Sequence, residues 1–453
     1  MYHKSAFIFL LALLNNTLSQ EIPSNLFSIN SKKIKFDAGK NWEKNSTLDF
    51  FPYFTIRKDL VGNIDNSILG LNKMNKENLF YGHHRFKVKS NFNVYLNGYL
   101  KSKINLTNDQ EKRVISISNT SGLKFSNDWL QVQFGKGTQG WGANHDIGLG
   151  INKESEPYNY GALGLDFGIL RVKYFHGFLE KDLKQNNRFL TGRGIEFTNN
   201  KSIVMGLSEI VVYSGHNRTI DLSYFNPIST HLEIEMNDRT NLPGTGNGNG
   251  IWQIFLDFFI SSRFRISGNY LVDEFVLDQE QKDASKASGN AYSYKLVYSP
   301  QIRKRRIISF YYSKIKIGTY TFRHQNGSNN FVQLGRPLGS GLGSDSAENK
   351  FGLTIMALDN FLTFFNFGLL KIGENSITNN PYLPYTDYKK VPFPSGANQT
   401  ISFLSNKFQY LLKNKYCLSY EIRFEKNRAN NSTKKESLLI LFADISIPID
   451  NLW

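Results

Sequence analysis

Apolar and polar residues alternate at every second position along much of this chain. Between Phe86 and Leu100 the even positions are mostly apolar, whereas the odd positions carry mainly Lys, Arg, Asn and Tyr. A period of two held over this length predicts a β-strand with one apolar face and one hydrated face. The same alternation recurs at 130–134, 232–236, 252–260 and 416–424.

The whole pattern predicts about 18 strands, a number within the range of bacterial outer-membrane barrels. Their predicted bounds are 86–101, 113–119, 128–135, 161–167, 169–179, 193–198, 203–213, 219–225, 229–237, 251–260, 263–274, 291–299, 306–324, 351–358, 361–372, 400–412, 416–425 and 437–447. The longest apolar stretches, such as 361–370, are interrupted by polar residues and glycine and are too short for a spanning helix. If this chain enters a membrane, it must do so as a closed barrel, which satisfies its own backbone hydrogen bonds.

The predicted links between strands alternate in length in the C-terminal half. Short links lie at Ser261, 300–305, 359–360 and Asn414, and long links lie at 238–250, 275–290, 325–350, 373–399 and 426–436. Outer-membrane barrels alternate short periplasmic turns with longer external loops in this way. The link 214–218 does not fit, because it is short and falls on the predicted external face. The predicted fold class is an all-β, transmembrane, antiparallel outer-membrane β-barrel over residues 81–453.

The N-terminus carries an export signal. Residues Ser5–Leu14 are apolar, and the small residues Thr17 and Ser19 follow, which predicts a secretory signal peptide at residues 1–19. An N-terminal anchor is the alternative, but this apolar stretch is far shorter than the roughly 20 residues of a spanning helix. Residues 20–80 alternate poorly and are interpreted as a periplasmic or plug-like segment.

The C-terminus resembles an assembly signal. The chain ends on Trp453, preceded at a period of two by Ile449, Ile447 and Ile445. Such an aromatic ending resembles the signature that the barrel assembly machinery reads, so we expect that machinery as a partner during biogenesis. Pro448 interrupts the match, because proline is poorly tolerated in a paired strand.

Composition and charge narrow the class of protein. With 36 Phe and 23 Tyr but only 40% apolar residues, the chain suits strands that place alternate residues in lipid and water. A secreted β-sandwich shares this composition, and the single Cys417 excludes a disulfide framework in either case. The net charge of +16 is compatible with nucleic-acid binding, but export argues against that partner. We expect outer-membrane lipid, lipopolysaccharide phosphates or an acidic glycan instead.

Aromatic residues in the predicted external loops are candidates for polysaccharide binding, because flat rings beside planar polar groups suit sugars. They are Trp141, Tyr158 and Tyr160 in one loop and Tyr382, Tyr385 and Tyr388 in another. The alternative is an aromatic girdle at the membrane interface, which such barrels also carry.

Charged residues on polar faces or strand ends form a second candidate set. They are Arg193, Glu196, Glu209, Glu233, Glu235 and Asp257. Paired carboxylates can hydrolyse glycosides, but ion pairs with lumen Arg and Lys are favoured, because charges are costly on the lipid face. The sequence contains no GxSxG, HExxH or Walker pattern, and His83-His84 lacks metal-ligand spacing. We therefore expect no enzymatic activity, no metal and no cofactor.

Several short motifs follow one another between residues 128 and 375. They are Gly135-Lys136-Gly137 with Trp141-Gly142, Arg193-Gly194-Ile195-Glu196, Gly206-Leu207-Ser208-Glu209 with Tyr213, Tyr224 with Asn226-Pro227, Asp257, Asp273-Glu274-Phe275, and Leu334-Gly335-Arg336-Pro337-Leu338-Gly339 with Ser344-Asp345. In order and spacing they resemble the Wzi-type capsule assembly proteins, including relatives found in Bacteroidetes. The chain departs from that pattern at Ala143, where a proline often follows Trp-Gly, and its first 80 residues match nothing in it.

The resemblance implies an outer-membrane barrel that binds or anchors capsular or exported polysaccharide, like a lectin, with a largely plugged lumen. The motif residues expected to form a family-specific or lumen network are Arg193, Glu196, Glu209, Tyr224, Asn226, Asp257, Asp273, Glu274 and Arg336. A general or substrate-selective porin is the main alternative, and it requires an open lumen with a charged constriction. An outer-membrane enzyme is the third class, and no residue spacing supports it.

Overall fold

The computed structural model describes most of the chain. The described residues are 53–64, 71–89, 92–105, 113–143, 145–152, 155–182, 184–199, 202–226, 229–236, 248–261, 263–274, 283, 287–300, 306–357, 361–384, 389–412, 416–429 and 435–448, with side chains described only between 121 and 429. The predicted signal peptide at 1–19 and the predicted polysaccharide-binding residues Tyr385 and Tyr388 lie outside these ranges. Within them, no helix is both long and apolar enough to cross a membrane.

The described residues form 20 strands and four short helices. The strands are β1 Tyr53–Ile64, β2 Leu71–Lys89, β3 Phe92–Asn105, β4 Arg113–Ser126, β5 Leu130–Gly137, β6 Tyr158–Asp166, β7 Leu170–Phe178, β8 Asn186–Thr198, β9 Ile203–His216, β10 Gly248–Phe259, β11 Phe264–Glu274, β12 Gly289–Tyr298, β13 Arg306–Ile317, β14 Val332–Gln333, β15 Arg336–Pro337, β16 Ser346–Ala357, β17 Phe361–Ile372, β18 Gln399–Leu412, β19 Tyr416–Ala429 and β20 Lys435–Pro448. The helices are the α-helix α1 at His231–Met236 and three 3-10 helices at His145–Ile147, Leu222–Phe225 and Gly327–Asn329.

All strands except β14 and β15 belong to one sheet. Among the described residues this sheet has 18 strands, and each pairs antiparallel with its neighbour in chain order. The first strand, β1, pairs with β2 on one side and with the last strand, β20, on the other, so that Tyr53 lies opposite both His83 and Pro448. The pairings therefore run in a cycle, as the predicted all-β antiparallel barrel requires. The short strands β14 and β15 form a separate hairpin.

The two faces of the sheet have opposite polarity. On β10, Ile254 and Leu256 point outward and are exposed, with Ile254 60% accessible, whereas Gln253 and Asp257 point inward and are fully buried. Exposed large apolar side chains recur on the outward face of β4–β8, β9–β13 and β16–β19. Polar-in, apolar-out alternation is the reverse of a soluble β-protein and matches a wall that faces lipid.

The strand links divide the barrel into two ends. At one end, called the turn end, consecutive strands are joined by two to seven residues, as between β2 and β3 or β8 and β9. At the other end, called the loop end, the links reach 31 residues at 217–247 and include the long links 138–157, 318–345 and 373–398. All the long links therefore lie at one end, as predicted for the C-terminal half. The loop end also carries the short links 65–70, 106–112, 179–185 and 430–434, and the last of these is shorter than the long link predicted at 426–436.

The strands predicted at 219–225 and 229–237 are wrong. The first contains the 3-10 helix Leu222–Phe225, capped by Asp221, whose carboxylate accepts a hydrogen bond from the backbone N–H of Ser223. The second is mostly α1, where the alternation of apolar and acidic residues occurs within a single short helix. Six residues are too few to separate a period of two from a period of 3.6. With both removed, 217–247 becomes one long loop-end link, and the misfit at 214–218 disappears.

Two strands at the start of the barrel were not predicted, so the main sheet of the described residues still has 18 strands although two predicted strands are absent. The structure places β1 and most of β2 within residues 20–80, which the sequence analysis interpreted as a periplasmic or plug-like segment. The single strand predicted at 86–101 spans the end of β2, a turn and most of β3. A short turn whose residues keep the alternation leaves no break in the pattern, so the pattern alone could not reveal it.

Candidate functional site

Loop-end link 138–157, here called the first plug segment, folds into the barrel. Asn269 on the inner face of β11 holds it through both polar atoms of its side-chain amide. The Oδ1 atom accepts from the Ala143 N–H at 2.7 Å, and the Nδ2 atom donates to the Ile147 carbonyl at 3.1 Å. The Ser293 hydroxyl on β12 donates to the same Ile147 carbonyl at 2.6 Å. A loop without a strand partner must satisfy its backbone in this way when it is buried.

An ion pair extends the contact of the first plug segment with the wall. Asp146 pairs with Lys295 of β12, whose ammonium also lies 4.2 Å from the ring centroid of Tyr311. Lys350 on β16 lies nearby and pairs with Glu348 at 3.2 Å. Burial raises the pKa of Asp146, but the charges of Lys295 and Lys350 outweigh burial and hold that pKa below its ordinary value. Asp146 is therefore an ionised latch between the plug and the wall.

Loop-end link 318–345, the second plug segment, is held by one arginine. Arg188 points inward from β8, and its side chain is fully buried. Its guanidinium donates to the carbonyls of Ser328 at 2.5 Å, Asn330 at 2.8 Å and Val332 at 3.0 Å. Arginine presents five N–H donors in a rigid plane, so one side chain can hold several carbonyls at fixed positions.

The two plug segments also bind each other. The Asn152 N–H donates to the Leu338 carbonyl at 2.9 Å, and the Ser340 N–H donates to the Leu149 carbonyl at 3.0 Å. Gly339 lies so close that a Cβ there would be 1.8 Å from the Leu149 oxygen. The buried apolar cluster of the protein includes side chains from both segments and from the inner wall, so the segments fill this part of the lumen as a packed core.

A third loop-end link, 373–398, covers the second plug segment. Arg323 of that segment donates to the carbonyls of Asn375 at 2.7 Å and Leu383 at 2.8 Å. Burial lowers the pKa of Arg323 to about 10, with Asp345 opposing the shift, so the guanidinium stays charged at neutral pH. The described links thus form a layered cap over the barrel interior.

Three of the predicted sugar-binding aromatic residues lie in the barrel interior. Trp141 belongs to the first plug segment, whereas Tyr158 and Tyr160 lie on β6 rather than in the predicted loop. Trp141, Tyr158 and Tyr160 are all buried, and Tyr158 uses its hydroxyl to accept from the Gln139 N–H at 3.1 Å. The indole of Trp141 packs where Gly194 of β8 leaves room, since a Cβ there would be 2.7 Å from the ring. Contrary to the expectation, none of these rings offers an open face to a sugar, because each is packed against the plug or the wall.

Tyr382 is the one predicted aromatic residue that the structure places at the surface, where it is half-buried. Its hydroxyl donates to the Glu180 carboxylate and accepts from the Gly335 N–H at 3.2 Å. The Arg188 guanidinium lies 5.5 Å from its ring centroid. Burial first, and then the hydrogen bond to Glu180, raise the pKa of Tyr382 to about 12, so the phenol remains protonated.

Two motif residues form a charged pair on the outer face of the wall. Arg193 of β8 and Glu209 of β9 lie opposite each other, with Nε and Oε2 2.7 Å apart, and both are buried. Arg193 also donates to the Asn226 carbonyl at 2.7 Å, and Glu209 accepts from the His231 N–H at 2.9 Å. Link residues 217–226 and 229–236 therefore lie over the outside of the barrel and shield an ion pair that would otherwise face lipid.

Aromatic packing fixes this outer cover. The ring of Tyr224 stacks on Tyr213 of β9 at 4.7 Å, and its hydroxyl lies 3.1 Å from Nδ1 of His231. The His231 ring lies against two glycines of β10, because a Cβ at Gly250 would be 2.4 Å from it and one at Gly248 would be 2.8 Å away. Glycine at these outward positions makes room for the cover.

Other motif carboxylates face the lumen. Glu196 pairs with Arg171 of β7 at 2.6 Å. Asp257 pairs with Arg265 of β11 and accepts from the Ser267 hydroxyl at 3.0 Å. Within the described residues, no group of three or more His, Cys, Asp and Glu side chains could hold a metal ion.

The remaining motif residues lie near the loop end. Asp273 accepts a hydrogen bond from the Phe322 N–H of the second plug segment. The backbone of Glu274 ends β11, and its side chain is outside the described set. Arg336 on β15 is exposed and pairs with Glu156 of the first plug segment at 3.0 Å. These residues therefore belong to three separate places rather than to one cluster.

Sequence reasoning missed the residues that hold the plug, namely Arg188, Asn269 and Lys295. Each lies at an inward position in the period-two pattern, which the sequence does carry. The pattern gives no indication that a loop would reach these positions, because a polar lumen side chain is equally suited to water.

An antiparallel cycle of strands with an apolar outer face and a polar inner face defines the outer-membrane β-barrel class. No known family's sequence profile and no curated protein sequence matches the chain. Among solved structures it is similar to Wzi, described as an outer membrane protein involved in group 1 capsule assembly in Escherichia coli and as a carbohydrate binding beta-barrel. The identity is 13%, the match covers 87% of this chain and 84% of that chain, and the TM-score is 0.61.

Two further structures match over most of their length. Pseudomonas aeruginosa OprD has 10% identity, covers 88% of this chain and 94% of its own, and gives a TM-score of 0.43. Acinetobacter baumannii OccAB1 has 9% identity, covers 90% and 99%, and gives a TM-score of 0.48. At 13% identity the likeness to Wzi concerns the fold alone, and that fold is an outer-membrane β-barrel.

Proposed function

We propose that this protein resides in the outer membrane and binds or anchors exported or capsular polysaccharide at the cell surface, without catalysing a reaction. The observation that carries the proposal is the filled interior at the loop end. Arg188, Asn269 and Lys295 hold two plug segments that also bind each other. A barrel built in this way suits a rigid external binding surface better than free diffusion.

Further observations support the location and the partners. Long links at one end indicate that the loop end faces outward, and exposed apolar side chains on the wall indicate contact with outer-membrane lipid and lipopolysaccharide. We infer that the barrel assembly machinery inserts the chain, as its C-terminal sequence indicates. Wzi, which has a similar fold, is described as a carbohydrate binding beta-barrel. This similarity favours a polysaccharide as the ligand of the present protein.

A selective porin is a second candidate, and one observation favours it. The inward-facing charged residues Lys350, Arg423 and Glu425, on β16 and β19, keep part of their side chains exposed to solvent. Charged groups beside a hydrated path are what a selective channel requires. On this reading, solutes would pass along that side of the lumen, beside the plug.

Single-channel conductance of the refolded protein in a planar bilayer separates the two candidates. A silent protein that retains the surface polysaccharide extracted from its own cells on a binding column supports the binding function. Steady ohmic conductance would move the porin to first place. Silence without retention of that polysaccharide would contradict the binding function.

A further inference from the structure

The surface of the loop end exposes an unusual set of side chains around Tyr382. The β14–β15 hairpin presents Leu334, which is 60% accessible, and Arg336, whose side chain is 71% accessible. Leu383, next to Tyr382 in the covering link, is also exposed. We call these four residues the Tyr382 surface.

The ring of Tyr382 is fixed before any ligand arrives. Its hydroxyl is bound by Glu180 and by the N–H of Gly335, and the Arg188 guanidinium lies near the ring. Gly335 has a φ of +75°, a conformation that favours glycine and turns the hairpin so that its N–H meets the hydroxyl. An aromatic side chain already held in place loses little entropy on binding.

Arg336 has a weak present partner. Its ion pair with Glu156 spans 3.0 Å, but the arginine is mostly in solvent, and exposed pairs contribute little free energy. The guanidinium can therefore exchange the Glu156 carboxylate for one supplied by a ligand. A carboxylate on a rigid ring would meet the planar fork of Arg336 with two parallel hydrogen bonds.

The charge around this surface favours an anionic ligand. Lys181 follows Glu180 directly, and Lys389 and Lys390 lie in the link that carries Tyr382; all three lysines are exposed. The exposed Glu374 of the same link already accepts a hydrogen bond from the Ala397 N–H at 2.9 Å. Because Glu180 and Glu156 lie beside Tyr382 and Arg336, the attraction comes from these exposed lysines and from the net charge of +16 of the whole chain. That charge raises the local concentration of a polyanion without requiring contact at each lysine.

We propose that the Tyr382 surface is a subsite for a uronic acid residue of a polysaccharide. The sugar ring lies on Tyr382 between the apolar side chains of Leu334 and Leu383, and its carboxylate binds Arg336. The inference rests on the proposed polysaccharide-binding function and adds the chemical class of the ligand.

The test uses polygalacturonate, a polymer of uronic acid, and the same polymer after reduction of its carboxyl groups. Wild-type full-length protein in detergent should bind polygalacturonate about tenfold more tightly than the reduced polymer. Arg336→Gln and Tyr382→Ala should each weaken polygalacturonate binding about tenfold. Tyr382→Phe keeps the ring but loses the hydroxyl bonds that fix it, so it should weaken binding less than Tyr382→Ala does. The matched control is Lys184→Gln, which removes an exposed lysine of the same end and should change affinity less than about twofold.

Several outcomes overturn the inference. Equal affinity for the two polymers excludes a uronic acid site, and equal losses in Arg336→Gln and Lys184→Gln reduce the effect to general charge attraction. The extracted native polysaccharide separates this inference from the function on which it rests. If wild type and Arg336→Gln retain that polysaccharide equally, the subsite is wrong and the function stands. If wild type does not retain it, the function itself fails.

Discussion

Replacing Arg188 by Met should release the second plug segment. The methionine side chain nearly matches the length of the arginine stem but has no hydrogen-bond donor. The change removes the hydrogen bonds to the carbonyls of Ser328, Asn330 and Val332 and the 2.7 Å ion pair with Glu180. All of these acceptors lose a charged donor at once.

The size of the effect follows from these contacts. Breaking a buried ion pair by removing one partner costs about 3–5 kcal/mol. Glu180 keeps the hydrogen bond from the Tyr382 hydroxyl, which places the cost of losing this pair toward the lower end of that range. The three carbonyls add to that cost, although water entering the lumen recovers part of it. A loss of about 4 kcal/mol shifts the equilibrium between docked and released plug by about three orders of magnitude.

Single-channel conductance and limited proteolysis of residues 318–345 measure the release. Arg188→Met should conduct more often than wild type and be cut within this segment, while circular dichroism shows the same β-sheet content as wild type. The control is Arg193→Met, a change of another buried arginine on the same strand that faces outward and touches no plug residue described above. If Arg188→Met stays silent and resistant to protease, Arg188 does not hold the plug. If both variants open alike, the wall rather than the plug has been weakened.

Three further predictions follow from the same geometry. Arg193→Met should lower the free energy of unfolding in urea by about 3–5 kcal/mol without opening the channel, and an unchanged urea midpoint would contradict a shielded ion pair there. Because the pKa of Asp146 is lowered, its latch to Lys295 is present above the ordinary carboxylate range and should be lost only as pH falls below about 4. Conductance should therefore appear only in stronger acid, whereas Asp146→Asn should raise it at neutral pH; silence of that variant at every pH would argue against the latch. Gly339→Ala should separate the plug segments, because its Cβ meets the Leu149 oxygen, and protease resistance equal to wild type would show that the loops can adjust.

The wall of the barrel could be predicted from the sequence because lipid imposes the alternation directly. On β10, each inward residue is polar or packed and each outward residue near Ile254 is apolar, so the pattern in the sequence is the pattern in space. The same reasoning failed at α1, a helix of six residues with alternating apolar and acidic side chains. Which of these side chains are buried depends on how the helix packs against the outer wall of the barrel. The alternation within a short segment carries no information about that packing.

The interior could not be predicted for a different reason. Trp141 and Tyr382 both lie in aromatic loop sequences, yet one is packed inside the barrel and the other is at the surface. Whether each ring is buried depends on contacts with residues that are distant in the sequence, such as Gly194 for Trp141 and Arg188 for Tyr382. The only indication of a plug in the sequence was that Asn269 and Lys295 occupy inward positions in the alternation. Inward polar residues are expected in a water-filled lumen as well, so this indication does not predict a plug.

The contacts of the plug impose an order on assembly. Arg188 is separated by 140 to 144 residues from the carbonyls it holds, and Lys295 by 149 from Asp146. Contacts between such distant residues form late, because the chain between them must first lose its freedom. We therefore expect neighbouring strands to pair before the plug segments dock. The pairing of β1 with β20 joins residues that are farther apart still, such as Tyr53 and Pro448, so by the same reasoning it forms last and closes the wall around a plug that is already in place.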